Sequence, residues 1–245
     1  RKVGSNNGLI GQHAGTFANG AVFWMGKTGG FYVYDGTVKS LPCLVEDFVF
    51  TTDGNNPGIN YNSGQIVFGG INELYSEINW FYPSANSSVV NRVVTYNFDE
   101  GVWTTGTLDR TTWVGSTVYE QPYATDYNAS DTPTFPVVSG VSNGASIYYE
   151  HEVGVNQLNG DGSSPAITSF IKSGELALTG NAGVPAAGEV LMSIRRFLPD
   201  FKRIEGNAKV TIFLNQFPQG TSAASSPLGP FTITSGTSKV DTRAR

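Results

Sequence analysis

Between residues 91 and 113 the chain reads NRVVTYNFDEGVWTTGTLDRTTW, and few folds accept that order. Arg92-Val93-Val94-Thr95-Tyr96 is β-branched and aromatic, Asp99-Glu100-Gly101 is a turn cluster, and Val102-Trp103-Thr104 returns to strand-forming residues. Such residues suit a pleated, half-buried surface on either side of a chain reversal, so the stretch predicts a β-hairpin. Tyr96 and Trp103 are expected on one face of neighbouring strands. The pattern recurs in GGFYVYDGTVKSLP and, more weakly, in GASIYYEHEVGVN. Its tyrosines Tyr34 and Tyr96 stand 62 positions apart, and Tyr149 follows 53 later. That period suits one four-stranded propeller blade with a generous loop.

The rest of the chain reads the same way. AVFWMG, QIVFGGI and EINWFYP are further strand candidates, separated by breakers such as KTGG, DGNNPG and SANSS. One short helix is expected in LPCLVEDFVF, where Leu44 and Phe48 follow Pro42. DYNASDTPTFPVVSGVSNGAS reads as a long connection with an extended core over residues 135–138. Beyond it the strands lengthen, in TSFIKSGELALTG, GEVLMSIRRFLPDF, NAKVTIFLNQFP and GPFTITSG, with FPQGTSAASSPLGP as a low-complexity loop. The expected fold is therefore all-β: propeller-like antiparallel blades over residues 1–165, a boundary near residues 163–165, and a second β-rich segment over residues 166–245. The opening RKVGSNNG and the ending VDTRAR, which offers no closing element, read as part of a longer chain. No apolar run approaches the roughly 20 residues of a helical membrane span.

Charge separates the two segments. Residues 1–165 hold 6 Lys and Arg against 15 Asp and Glu, a net −9, whereas residues 166–245 hold 9 against 5, a net +4. An acidic surface does not grip phosphate, so no nucleic-acid-binding face is expected there. The exception is SIRRFLPDFKR, where Arg195, Arg196, Lys202 and Arg203 flank Phe197, Leu198 and Phe201. These four basic residues are candidates for a subunit interface; the bland alternative is a strand and turn facing solvent.

Catalytic chemistry is not apparent. His13 and His151 are far apart in sequence and neither has a second ligand at metal spacing, so both read as polar packing or surface residues. NGDGSS around Asp161 lacks the downstream Glu of a calcium loop. Glu46-Asp47 and Asp99-Glu100 are adjacent acids, which a strand would point to opposite faces. Cys43 is the single cysteine, so no internal disulfide can form, and its apolar neighbours suggest a buried, inert thiol. The sequons at Asn86 and Asn128 read as loop residues. No enzyme, metal or cofactor is expected.

In their order and spacing, GLIGQHAG, NGAVFWMGKTGGFYVYDGTVKSLPC, the NELYSEINWFYP region running to TTW, and GPFTITSGTSKVDTRAR resemble the tail nozzle proteins of tailed bacteriophages, also described as tail tubular protein B or head-stabilisation proteins. The similarity runs from about Gly8 to Arg245 and is weakest between Tyr123 and Ser146. Loops at Asp53-Gly54-Asn55-Asn56 and at residues 221–227 match no motif. The resemblance implies a virion protein of the tail: a propeller-based subunit in a ring, usually of six copies, through which the genome leaves. Adaptor and tail-fibre proteins would be its partners, with DNA passing unbound. A receptor- or glycan-binding propeller module is the competing reading, in which Trp80, Tyr82 or Trp113 would be exposed to stack on sugar rings.

Overall fold

A computed structural model describes residues 7–54, 56–117, 119–127, 146–154, 156, 166–167, 169–171, 193–201, 204, 206–214 and 227–244. The chain divides into two compact units, Arg1–Thr168 and Ser169–Arg245. Both are built from small antiparallel sheets, as an all-β fold requires. The expected boundary at residues 163–165, the extended core at 135–138, the NGDGSS turn, the second sequon and nearly all of TSFIKSGELALTG and of the 221–227 loop lie outside the described residues.

Among the described residues the first unit contains three sheets of sequence-consecutive strands. Sheet one is β1 (Gly15–Ala18), β2 (Ala21–Met25), β3 (Phe31–Tyr34) and β4 (Val38–Leu41); sheet two is β5 (Phe68–Asn72), β6 (Glu77–Tyr82), β7 (Arg92–Asn97) and β8 (Val102–Gly106). Sheet three is β9 (Thr112–Val114), β10 (Tyr123–Tyr127) and β11 (Ser146–Glu150). The repeat in the sequence has a simple origin here: Tyr34, Tyr96 and Tyr149 all belong to the third strand of their sheet. Tyr96 pairs with Trp103 across β7 and β8, their ring centroids 4.6 Å apart, and Gly101 closes the turn at φ +68°. The backbone amides of Asp99 and Glu100 donate to the Asn97 side-chain oxygen at 3.1 and 2.9 Å, so the acidic residues face water while the turn is tied from behind.

Alternation along each strand decides which face is buried. Phe23, Met25 and Phe31 of sheet one meet Ile78, Trp80, Val94 and Trp103 of sheet two in the larger core. Phe31 is its centre, 4.8 Å from the Trp80 ring and 4.7 Å from that of Trp103. The opposite face of sheet two carries Phe81 and Val93, which with Phe68 pack against Trp113 of sheet three. Trp113 lies directly over Gly70, where an added Cβ would come within 2.5 Å of the indole, and donates to the Ile71 carbonyl at 2.8 Å. Each sheet therefore lies face to face with the next. Their first strands are also neighbours: β1 touches β5 and β5 touches β9, and Gly69 N donates to His13 O at 2.8 Å.

The short helix α1 (Glu46–Phe50) falls in the expected stretch but buries Val49, leaving Leu44 93% exposed. Glu46 and Asp47 thus occupy a first helical turn and Asp99-Glu100 a hairpin turn, so the strand argument for their opposite orientation does not apply. The unmatched loop after α1 has a structural role. Asn56 donates to the Phe48 and Thr51 carbonyls at 2.6 and 3.3 Å and accepts from Arg92 at 2.7 Å, while its own amide donates to Asp53 at 2.7 Å.

In the second unit, β12 (Ile194–Phe197) pairs with β15 (Val240–Ala244), and β13 (Ala208–Ile212) with β14 (Leu228–Ile233). Within VDTRAR, Val240–Ala244 forms β15, with Val240 opposite Phe197 and Asp241 opposite Arg196.

Candidate functional site

Of the four basic candidates, Arg195 and Arg196 lie on β12 and are exposed; Lys202 and Arg203 lie outside the described residues. The Arg196 guanidinium is ion-paired with Asp241, which raises the arginine and lowers the carboxyl from their ordinary values. That charge is already answered within its own unit. Arg195 remains the candidate whose charge is directed to solvent.

Among the described residues there is a polar cluster that sequence spacing could not assemble. Arg110, Asp126, Tyr149 and His151 converge on the inner side of sheet three. The Arg110 guanidinium lies 3.7 Å above the Tyr149 ring, and its Nε donates to His151 Nε2 at 3.0 Å. An accepting Nε2 places the imidazole proton on Nδ1. Burial, reinforced by the Arg110 charge, pushes His151 down to about 4, so the ring is neutral at pH 7. Burial also pulls Arg110 below its usual range, opposed by Tyr149, Asp126 and Asp109. With Trp113 4.8 Å from the His151 ring, this cluster fastens sheet three to the Phe81 side of sheet two. General-base work would need a His free to take a proton near pH 7; here burial and then the Arg110 charge oppose protonation, and Nε2 already accepts from Arg110.

Two acidic arrangements lie nearby. Glu73 accepts from Ser116 N at 2.9 Å, from Ser116 Oγ at 3.2 Å and from the Thr117 hydroxyl, anchoring the loop after β9. Asn72, almost wholly buried, directs its amide nitrogen toward Glu77 at 3.5 Å and Glu152 at 3.2 Å. Burial and the Glu152 charge raise Glu77. Among the described residues no group of three or more His, Cys, Asp or Glu is placed to hold a metal ion.

The remaining candidates have structural placements. His13 is exposed beside Gln12, and His151 is the packing residue described above. Cys43 packs against the larger core, and burial pushes its thiol up to about 11, which keeps it protonated and unreactive. Asn86 is an exposed turn residue. Trp80 and Tyr82 are fully buried, and Trp113 is sandwiched between sheets. Other aromatics are exposed, among them Phe17 and Tyr34 of sheet one, Tyr148 of sheet three, and Phe48, Tyr61 and Tyr75 outside the sheets. Comparison with protein-family models gives no match, and comparison with curated proteins gives none either.

Proposed function

We propose that this chain is a structural component of a bacteriophage tail, a ring-forming nozzle subunit that lines or gates the channel for genome ejection. The observation that carries the reading is the succession of face-to-face antiparallel meanders whose first strands are neighbours, the relation that successive propeller blades have. In this reading sheets one, two and three are blades. The sequence resemblance supplies the tail assignment, the ring, usually of six copies, and the adaptor and tail-fibre partners.

A conduit must pass a polyanion without holding it, and a net −9 over residues 1–165 suits that task because few cations are available to stall phosphate. Stability would come from buried aromatics and subunit contacts, without disulfides. Trp80 and Tyr82, two of the three aromatics that the glycan-binding alternative offers for stacking, are fully buried, which favours the nozzle reading.

Antibody against this chain, applied to the virions that carry it and imaged by electron microscopy, should label the distal tip of the tail. Labelling of fibres alone, or none on the particle, would overturn the assignment. The purified protein should bind DNA weakly, at low salt and without sequence preference; tight binding at physiological salt would remove the conduit argument.

A further inference from the structure

Asn72 and Glu77 stand opposite each other across the β5–β6 hairpin, and the turn after β11 brings Glu152 to the same place. Asn72 is 1% exposed, Glu77 is half-buried and Glu152 is exposed, so the group runs from the interior out to water. The Asn72 Nδ2 lies 3.2 Å from Glu152 Oε1 and 3.5 Å from Glu77 Oε2. Glu152 is held there at a φ of +62°, in the left-handed region that side chains rarely adopt.

The chain leaves two needs of this group unmet. Among the described residues neither carboxylate has an ion-pair partner, and what acts against the charge of Glu77 is its burial and then the charge of Glu152. The second need belongs to Asn72, whose Oδ1 is buried without a hydrogen-bond partner. A buried acceptor in that condition calls for a ligand. The two ends of a carboxamide exchange by a half-turn about the Cβ–Cγ bond. With nitrogen inward, as here, the amide serves the two carboxylates alone. With oxygen inward, three oxygens converge on one point. One end is left over in either orientation, so what stands between the carboxylates decides the choice.

We propose that Asn72, Glu77 and Glu152 form a site for a hard divalent cation, calcium by preference, which turns the Asn72 oxygen inward and ties the β5–β6 turn of sheet two to the end of sheet three. Two carboxylates that can each offer both oxygens, with one amide oxygen, supply up to five ligand atoms, and water completes the shell. The ligands come from three separate points of the backbone, which suits the adjustable shell of calcium better than the short, near-octahedral shell of magnesium. All are oxygens, the wrong set for a thiophilic or imidazole-seeking metal. With only two carboxylates, one of them exposed, the site belongs to the weak class, with a Kd of about 0.1–1 mM.

The full chain, freed of divalent ions with EDTA, is titrated with calcium chloride by calorimetry while sodium chloride holds the ionic strength constant. Wild type should bind calcium in that range, and the Asn72 side-chain amide signal in a nitrogen-15 NMR spectrum should move as the site fills. Glu152→Gln keeps an oxygen to accept from Asn72 at an exposed position, and circular dichroism should show it folded. Its calcium affinity should fall at least roughly tenfold. Melting curves should also cross: without calcium the variant melts at or above wild type because a repulsion is gone, and with calcium wild type alone gains. Asp99→Asn, in the exposed β7–β8 turn, should change neither readout. No saturable binding by wild type up to about 10 mM calcium, equal affinity in Glu152→Gln, or a melting gain that sodium chloride reproduces would each overturn the site.

Discussion

Trp80 combines the two ways in which one residue can hold this protein together. Its ring is fully buried between Phe31 and Trp103, and its Nε1 donates to the Ala14 carbonyl at 3.1 Å, joining sheet two to the start of sheet one. Trp80→Ala should cost about 3–5 kcal/mol, the usual range for a large aromatic deleted from a core. Trp80→Phe should cost about 1–3 kcal/mol, because Met25 N also donates to Ala14 O and leaves that carbonyl satisfied. Urea denaturation of the two variants checks both size and order. His151 makes a different prediction. Its folded value of about 4 lies below the ordinary 6.5, so the unfolded chain takes up the proton first as pH falls. The associated stability is complete above pH 6.5 and is lost as pH falls toward 4. The slope is at most about 1.4 kcal/mol per pH unit, lessened by partial solvent access. His151→Gln should flatten this part of the stability profile, as measured by denaturation at several pH values. No spacing in the sequence announces the cluster, since Arg110 and His151 are brought together only by the β9, β10 and β11 pairings.

At the scale of single elements, the hairpin of β7 and β8 was legible because its chemistry is local. Alternating apolar residues fix the faces, and Gly101 supplies the positive φ. Nothing lies within 4 Å of where its Cβ would be, so Gly101→Ala is a backbone test without a steric one. A loss of about 1 kcal/mol is expected, with Gly101→Asn recovering part of it because Asn tolerates the left-handed region better than Ala. Thermal melts of the two variants decide the matter. Elements held by distant partners were harder to see. β1 is Gly-Thr-Phe-Ala, weak in strand propensity, and forms because β2 pairs with it and β5 lies alongside. β10 lies at the weakest part of the family resemblance and depends on strands to either side of it. β15 has an alternating Val240 and Thr242, but its register follows from pairing with β12, which sets Val240 opposite Phe197 and Asp241 opposite Arg196, more than forty residues away.

For the molecule as a whole, the opposite charges of the two segments remain the plainest long-range property. If the chain assembles into the proposed ring with the basic segment against an acidic neighbour, Arg195→Glu should weaken that assembly by about 1–2 kcal/mol while leaving the melting temperature near wild type. Arg196→Glu is a poorer probe because it also sets a second carboxylate beside Asp241. Native mass spectrometry of Arg195→Glu reads the effect; unchanged oligomers would remove this contact from the assembly.

The consecutive order of the strands also governs how the protein can be made. Every described sheet of the first unit pairs each strand with the next in the chain, so hairpins can form as soon as the chain clears the ribosome. Sheet one is complete once Leu41 has emerged, yet Met25 and Phe31 are covered only in part by Val49 and Phe50 until Trp80 and Trp103 follow. At roughly 5–20 residues per second, translation leaves that aromatic face open for seconds. During that interval the nascent chain is a ready client for chaperones, and slowing translation between codons 41 and 103 should increase both chaperone occupancy and aggregation.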